Sequence, residues 1–583
     1  MQRASKKFPW RLLLVALGAY ALIQVAFLGL GSIHSGMEAR EAAVIDTIMR
    51  EGQWLIPDMP GQMVPQPGLY HWAGAAFGIV LGGFSELAVR LPSLLTALGV
   101  LVCCALAGYN LARISRTTES DLHCERVALF SAGILSLTYG FQQLTVQARG
   151  DMSLSFCVWG AIAALLLPAR GDLGHVQAIP ARNRSLFWLF CALATLTAGL
   201  QGLAVPISLA AIGGVWVAGF ARTAREIVRP SAGWLALGVT LFVRYVQLRA
   251  GDGMAPLGAE GDLGRLWWFY AVSLFRSTFP WGLLMVALAA GMFPRHPTVS
   301  YSGGRARVAF LPLVVLTFGV CALSLIRTGW HASLLPLFPL VSIQLALVLS
   351  MRIERGGAAV RERLWAIARK AEILLAFIGV CILVVTGLAL QGDWSLHPLE
   401  EVVKFAFGPF AVRLGTVLLV ALVAVVAIQK RSAAVLYCSV WMLMAAVMTI
   451  LVSAGFVLKS SLTGFSSMSE QILLLVKPGQ EIALIADPSD DYFAPMMLYL
   501  HRRVRVLVPD ASEPLCDPSM LYVARREWLD RHETLVPGEL REVAVLQETA
   551  HALRRDGIGE VIVFACAPTA YPNDRGERRW HDA

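Results

Sequence analysis

The chain has 583 residues, of which 56% are hydrophobic and 15% charged, and its formal net charge is +9. A soluble protein of this length needs more charge to cover its surface, so the composition excludes a soluble globular protein and indicates a polytopic membrane protein. Most of the excess Lys and Arg lies in short loops between apolar runs, where it reports membrane orientation and not nucleic-acid binding.

The N-terminus, "MQRASKKFPW", has the basic start of a signal peptide. The apolar run Trp10–Gly31 that follows is long and lacks a small-residue cleavage site, which predicts an uncleaved first span. Twelve further apolar runs lie at 93–112, 127–146, 152–168, 185–202, 203–220, 232–248, 270–293, 308–326, 333–351, 372–391, 404–428 and 434–456. Together these runs predict thirteen membrane spans.

The stretch 69–84 is also apolar, but counting it as a span would move every later loop to the other side of the membrane. Without it, the Arg-rich loops all face the cytoplasm and the acidic loops face outward, as the positive-inside rule requires. We therefore expect one long outer loop, 32–92, with two surface-lying helices at 37–51 and 69–84. Tyr70, His71 and Trp72 are expected to anchor the second helix among the lipid headgroups.

The pattern changes after Val457. Strand-like segments at 481–487, 504–509, 520–525 and 560–568 and a helix-like segment at 492–503 predict a small α/β domain. Because it follows an odd number of spans, this domain is expected outside the cytoplasm. The sequence thus predicts a membrane domain at 1–460 and an extracytoplasmic domain at 465–583.

Seven of the ten cysteines lie in apolar runs, where Cys usually packs as a small hydrophobic residue. Cys516 and Cys566 lie in the C-terminal region, and a disulfide between them is open if that region is extracytoplasmic. No Cys or His spacing suggests a structural metal site.

Several segments resemble one family in order and spacing. They are "MEAREAAVIDTIMREGQWLIP" (37–57), "PQPGLYHW" (65–72), "SELAVRLPSLL" (85–95), "ARGDMSLSF" (148–156), "FPW" (279–281) and "HASLLPLFP" (331–339). The resemblance is to the polyprenyl-phosphate-sugar-dependent glycosyltransferases of the GT-C fold, which include lipid A aminoarabinose transferase and the protein O-mannosyltransferases. It implies a reaction on the outer face of the bacterial cytoplasmic membrane. A sugar passes there from a lipid-linked donor to a hydroxyl or phosphate acceptor on a lipid, glycan or protein.

The resemblance implies a role for eight residues. Glu38 and Asp151 would act on the acceptor, because an alcohol needs a carboxylate to take its proton. The donor phosphate would be held by Arg40, Gln66, Arg149, Arg276, Arg327 and His331. A divalent metal could assist, and the requirement stays open. Structural alternatives are a helix-dipole role for Glu38 and a span-capping role for the Arg149–Asp151 pair.

The chain departs from the family pattern at charged positions. Met37 stands where the family has Asp, and Gln66 and Ala198 stand where it has Lys. Glu41 stands where the family has Tyr; it is expected to be solvated, and the alternative is that it partly replaces the missing acid one helical turn from Glu38. Two further functions therefore stay in view. One is a catalytically silent relative that binds a lipid-linked sugar or a partner enzyme. The other is a transporter, which the lack of an inverted repeat disfavours.

Overall fold

The structure is a computed structural model that describes residues 8–29, 32–33, 35–55, 68–115, 121–167, 179–218, 225–226, 228–250, 267–282, 311–326, 331–355, 465–477, 480–485, 494–500, 504–507, 519–531, 540–547 and 560–566, with a few isolated positions. The predicted spans 372–391, 404–428 and 434–456 lie largely outside the described residues, as do Gln66, Arg327 and Cys516. The chain forms two compact units. The first comprises Met1–Gly31, Glu41–Asp58 and Pro65–Val457, and the second comprises Ser32–Arg40, Met59–Val64 and Leu458–Ala583.

Helices dominate the described part of the first unit. They are α1 (Trp10–Leu28), α2 (Gly36–Glu51, which starts in the second unit), α3 (Leu69–Val80), α4 (Glu86–Ser115), α5 (Asp121–Ser136), α6 (Tyr139–Thr145), α7 (Asp151–Leu166), α8 (Ala181–Ala218), α9 (Gly233–Ala250), α10 (Trp267–Ser277), α11 (Leu311–Ile326), a 3₁₀ helix (His331–Leu337) and α12 (Phe338–Arg355). Three described stretches are long and apolar enough to cross a membrane, namely Glu86–Ile114, Ala181–Trp216 and Leu334–Met351. A fourth crossing results if α5 and α6 form one span bent by 69°. The chain is a multi-pass membrane protein, and the count of thirteen spans stays a prediction.

Helix α3 is too short to cross a bilayer. Its 12 residues reach about 18 Å at about 1.5 Å per residue, against a hydrocarbon thickness of about 30 Å. It ends before Gly82 and Gly83, whose φ angles of 86° and 158° reverse the chain into α4. This length agrees with the expectation that 69–84 lies along the membrane. The expected headgroup anchors differ, however, because Tyr70 and His71 are buried at 1% and 4% exposure.

Helix α8 is a hairpin of two helices. Ala198 (φ −134°) and Gly199 (φ 60°) are non-helical and interrupt it. Arg184 near its start lies 3.7 Å from Glu226, which follows its end, so the second half runs back alongside the first. Helix α9 begins at Gly233, whose backbone lies close to Ser185 and Trp188 of α8. The two predicted spans 185–202 and 203–220 therefore correspond to the two halves of α8.

Two predicted spans differ from the structure. The run 127–146 is divided into α5 and α6 at Leu137–Thr138, where the side chains of Ser136, Thr138 and Gln142 donate hydrogen bonds to backbone carbonyls. The run 270–293 begins with α10, which ends at Ser277. Pro280 cannot continue this helix, because proline has no N–H for the helical bond.

The described C-terminal part of the second unit is an α/β sheet. Strands β1 (Glu481–Ile485), β2 (Val504–Leu507), β3 (Met520–Arg525), β4 (Leu540–Gln547) and β5 (Glu560–Cys566) have the order β2-β1-β3-β5-β4. The first three are parallel, with Ile482 beside Val504 and Leu521, and β5 is antiparallel to both β3 and β4. Helices α13 (Phe465–Leu475), α14 (Ala494–Leu500) and α15 (Arg526–Arg531) complete this part.

Apolar residues cover both faces of this sheet. Phe465, Met468 and Ile472 of α13 pack with the β3 residues Leu521 and Val523 on one face. On the other face, the rings of Tyr522 and Phe564 stack 5.5 Å apart, and Trp528 packs beside them. The N-terminal segment 32–40 joins the same unit, where the buried Ile33 donates its N–H to the Tyr499 hydroxyl at 2.6 Å.

Candidate functional site

The "RLPS" segment (90–93) at the start of α4 forms hydrogen bonds with two other parts of the first unit. The guanidinium of Arg90 is almost fully buried and donates to the carbonyl of Leu28, the last residue of α1, at 3.1 Å. The Ser93 hydroxyl donates to the Arg149 carbonyl at 3.2 Å and accepts from its N–H at 3.5 Å. One segment therefore caps α1 and holds the turn that carries Arg149.

Arg149 and Asp151 form an ion pair beside that turn. Arg149 Nε lies 2.9 Å from Asp151 Oδ2, and the two side chains are 15% and 23% exposed. Asp151 is the first residue of α7, where a carboxylate also stabilises the helix dipole. A Cβ at Gly150 between them would lie 3.8 Å from Tyr70 Cβ, and the Tyr70 hydroxyl donates to the Val89 carbonyl at 2.5 Å. These contacts bring the segments "RLPS", "ARGD" and "GLYHW" together in one place.

The start of α3 is fastened to α2 by a pair of polar side chains. His71 Nε2 lies 2.6 Å from Glu41 Oε2, with the side chains 5% and 19% exposed. His71 Nδ1 accepts the backbone N–H of Gly68 at 3.1 Å. His71 is the third residue of α3, and its side chain accepts the N–H of the N-cap residue Gly68, as Glu or Gln does in a capping box. The expectation that Glu41 is solvated is wrong, because the buried imidazole is its partner.

The break in α8 is held by one buried arginine of α9. Arg244 Nε donates to the Thr195 carbonyl at 3.1 Å, and Nη2 donates to the Leu196 carbonyl. Its Nη1 donates to Gln247 Oε1 at 2.9 Å. In an uninterrupted helix these two carbonyls would accept N–H groups four residues on, so Arg244 replaces the bonds that the break removes.

The α8 break also lies close to the backbone of the predicted outer loop, at Gly68. Gly68 lies so close that a Cβ there would be 2.2 Å from the Leu196 oxygen and 3.1 Å from Arg244 Nη2. Gln247 Nε2 donates to the Leu55 carbonyl at 3.2 Å, and Trp72 Nε1 donates to the Trp54 carbonyl at 2.7 Å. The two ends of the segment that contains Gln66 are therefore attached to α3, α8 and α9.

No family model matches the chain. It is 28% identical over 331 residues to the undecaprenyl phosphate-alpha-4-amino-4-deoxy-L-arabinose arabinosyl transferase of Pseudomonas aeruginosa (strain UCBPP-PA14), with 54% of each chain covered. A similarly named transferase of Pseudomonas fluorescens (strain Pf0-1) is 26% identical over 266 residues, covering 42% of this chain and 43% of the relative. The chain thus spans about half the length of the curated relatives it matches.

Two crystal structures of ArnT from Cupriavidus metallidurans have a similar fold. The structure bound to undecaprenyl phosphate covers 94% of this chain and 97% of ArnT, with a TM-score of 0.63 and 15% identity. The apo structure covers 97% and 99%, with a TM-score of 0.64 and 16% identity. The chain has the GT-C fold. The resemblance drawn from the motifs is thereby confirmed at the level of the fold.

The structure places some of the predicted site residues and leaves others outside the described residues. Arg149 and Asp151 are in direct contact. Glu38 is fully buried in the first turn of α2, and it belongs with Arg40 to the second unit. Arg276 is exposed at the end of α10. His331 begins the 3₁₀ helix, but its side chain lies outside the described residues, as do Gln66 and Arg327 entirely. The prediction that all eight line one cavity stays a prediction.

Two further segments of the resemblance, "FPW" and "HASLLPL", are bonded to neighbouring helices of the first unit. The Tyr139 N–H of α6 donates to the Phe279 carbonyl of "FPW" at 3.0 Å. Trp159 of α7 donates from Nε1 to the Pro336 carbonyl of the 3₁₀ helix at 2.8 Å. These bonds place Arg276 and the "HASLLPL" segment on the same α6–α7 framework that carries Arg149 and Asp151.

Sequence reasoning missed three residues of this GT-C region. His71 was expected to be a headgroup anchor, and Gln247 and Arg244 were assigned no role. A signal was present for Arg244, because an arginine inside an apolar run is costly unless it has partners within the bundle. Among the described residues, no group of three or more His, Cys, Asp or Glu could hold a metal ion.

Proposed function

We propose that the chain is a membrane glycosyltransferase using a polyprenyl-phosphate-linked sugar, with a lipid, glycan or protein hydroxyl or phosphate as the acceptor. The observation that carries this proposal is the meeting of "RLPS", "ARGD", "GLYHW" and the α8 break in one contact network. A fold match covering 94% of the chain, to an ArnT structure bound to undecaprenyl phosphate, supports the same class of donor.

The proposed reaction takes place on the outer face of the bacterial cytoplasmic membrane. The acceptor oxygen forms a bond to the anomeric carbon, and the bond from that carbon to the donor phosphate oxygen breaks. A carboxylate, Glu38 or Asp151, takes the acceptor proton. The leaving polyprenyl phosphate carries the bonding electron pair, and its charge is balanced by Arg40, Arg149, Arg276 and Arg327, assisted by Gln66 and His331.

The proposed architecture places this chemistry in a membrane domain of residues 1–460, with the N-terminus in the cytoplasm. Residues 465–583 form an α/β domain outside the cytoplasm. This orientation rests on the distribution of Arg residues between the loops. The Arg184–Glu226 contact supports it, because it places two Arg-bearing loops on the same side of the helix bundle.

A silent relative that binds the lipid-linked donor without transfer is the second candidate. It is favoured by the replacement of family charges at Met37, Gln66 and Ala198, and by the burial of Glu38 at 0% exposure. A buried carboxylate has no direct access to an acceptor hydroxyl, so Glu38 would need a rearrangement of the first turn of α2 to react.

Purified protein with a radiolabelled undecaprenyl-phosphate sugar and a panel of acceptors separates the two functions. Transfer by the wild type, lowered about 10²–10⁴-fold by Glu38→Gln or Asp151→Asn, would support the transferase. An inert wild type that gains transfer on Met37→Asp with Gln66→Lys would establish the silent relative. Transfer that both carboxylate variants leave unchanged would refute the assigned bases.

A further inference from the structure

Helix α9 buries the polar side chains of its middle and last turns. They lie on one face of the helix, with exposures of 4%, 8% and 3% for Thr240, Arg244 and Gln247. Arg244 on this face binds the carbonyls at the α8 break, and Gln247 binds the Leu55 carbonyl. The polar face of α9 is therefore engaged by the protein.

The opposite face of α9 is apolar and exposed. Leu235, Val239 and Phe242, which we call the α9 stripe, follow the spacing of one helix face and are 76%, 65% and 66% exposed. An exposed apolar face opposite a buried polar face suits a helix that contacts lipid and not water. The 18 residues of α9 reach about 27 Å at about 1.5 Å per residue, close to the hydrocarbon thickness of about 30 Å. The α9 stripe therefore fits the acyl chains of a bilayer.

An arginine stands at the end of this exposed face. Arg249 is exposed in the last turn of α9, where Nε donates to the Tyr245 hydroxyl at 3.1 Å and Cζ lies 5.8 Å from the centre of the Tyr245 ring. Among the described residues, this is the one hydrogen bond of the guanidinium, so Nη1 and Nη2 keep four N–H donors. The planar fork of these two nitrogens matches two oxygens of a phosphate.

The Tyr245–Arg249 pair continues the α9 stripe at the same spacing. Tyr245 follows Phe242 by three residues, and Arg249 follows Tyr245 by four. A cation at the end of an apolar, lipid-facing helix surface lies at the level of the lipid headgroups. This end of α9 meets the predicted outer loop, because Gln247 binds Leu55 there. One helix surface thus offers an apolar track and, at its outer end, a positively charged fork.

We propose that Tyr245, Arg249 and the α9 stripe form a binding site for an anionic phospholipid of the outer leaflet. The lipid phosphate accepts hydrogen bonds from Nη1 and Nη2 of Arg249, and the acyl chains lie along the stripe. A zwitterionic lipid binds less well, because its own ammonium group already balances the phosphate charge. The proposed lipid is not a reactant, so the proposal does not depend on the proposed function.

The test measures lipid binding to the full-length, delipidated protein in detergent by native mass spectrometry. The probes are phosphatidylglycerol and phosphatidylcholine with the same acyl chains. The wild type should bind phosphatidylglycerol about tenfold more tightly, the preference expected for one hydrogen-bonded charge contact. Arg249→Gln should abolish this preference, and Tyr245→Phe should reduce it about threefold, because the fork loses its anchor. Phe242→Ser should weaken both lipids alike, because it shortens the stripe and leaves the charge.

Arg182→Gln is the matched control. Arg182 is an exposed arginine at the start of α8, which lies by the opposite end of α9, so this variant has the same change of net charge. It should keep the preference of the wild type. Phosphatidylglycerol should also raise the thermal midpoint of the wild type more than that of Arg249→Gln, whereas the two proteins should have equal midpoints without lipid.

Three results would overturn the proposal. The first is equal affinity of the wild type for the two lipids. The second is an equal effect of Arg249→Gln and Arg182→Gln on the preference, which would show attraction by net charge alone. The third is displacement of phosphatidylglycerol by an equal concentration of inorganic phosphate or of undecaprenyl phosphate. Inorganic phosphate would indicate an anion site that does not use the stripe, and undecaprenyl phosphate would assign the surface to the donor.

Discussion

Arg244→Met should destabilise the first unit by opening the α8 break. The methionine keeps an apolar stem of similar length, and it removes the three donors that bind Thr195, Leu196 and Gln247. The two carbonyls belong to the end of a half-helix, and the guanidinium that binds them is buried. The perturbation therefore removes bonds with little change of packing volume.

The size of the effect follows from these three bonds. At about 0.6 kcal/mol each, the average for hydrogen bonds measured within membrane helices, the loss is about 2 kcal/mol. At about 1.5 kcal/mol each, the lower value for bonds to a charged group, it is about 4.5 kcal/mol. Arg244 is 8% exposed, so a value between these limits is expected. Arg244→Lys should recover only part of it, because one ammonium cannot reproduce the guanidinium fork.

Unfolding of the detergent-solubilised protein, followed by tryptophan fluorescence against denaturant, measures this difference. Arg249→Met is the control on the same helix, since Arg249 is exposed and donates only to the Tyr245 hydroxyl at 3.1 Å among its described hydrogen bonds. It should change the free energy of unfolding by less than about 0.5 kcal/mol, as surface substitutions usually do. If Arg244→Met and Arg249→Met have the same small effect, the guanidinium does not hold the α8 break and the reasoning is refuted.

Three other predictions concern the same framework. Gly68→Ala should cost about 1–3 kcal/mol, because its Cβ would meet the Leu196 carbonyl at 2.2 Å; Gly18→Ala, with open space around its Cβ, should be neutral or stabilising in the same unfolding assay. Arg149→Gln should lower stability by less than about 1 kcal/mol, since the pair is partly exposed, but should lower transfer at least about tenfold; equal transfer would remove Arg149 from the donor site. Reporter fusions after Arg126, Arg229 and Arg363 should all report the cytoplasm, and an outer signal at two of them would contradict the thirteen-span topology.

The helices of the first unit were largely predictable because a bilayer imposes length and polarity on each span. The hairpin at α8 was predicted as two spans from hydropathy alone, although the chain is helical on both sides of Gly199. The bend between α5 and α6 was not predictable, because the polar side chains that satisfy its carbonyls become visible only in three dimensions. Strand β4 was also missed, since "LREVAVLQ" at the sheet edge mixes charged and apolar residues and carries a bulge.

The candidate site was harder to predict for a physical reason. The motifs identified the segments, but the partner of each polar side chain depends on contacts across the fold. Glu41 looked solvated in sequence because α2 is amphipathic, and its partner His71 lies beyond a turn rich in proline and glycine. Arg244 is 48 residues from the carbonyl of Leu196 that it binds, a separation that no local pattern reports.

The described contacts also determine which arginine matters most for a donor phosphate. A leaving phosphate needs positive charge that is not already engaged in holding the fold. The Arg149 charge is balanced by Asp151, the Arg244 fork is occupied by two carbonyls and Gln247, and Arg90 is buried on the Leu28 carbonyl. Arg276, by contrast, is exposed at the end of α10, beside the exposed apolar side chains of Val272 and Phe275. We expect an amphipathic helix end of this kind at the membrane surface, at the depth of a lipid-linked phosphate. Among these four arginines, Arg276 is therefore the one that no described ion pair or carbonyl engages, and Arg276→Ala should lower donor binding more than Arg149→Gln does.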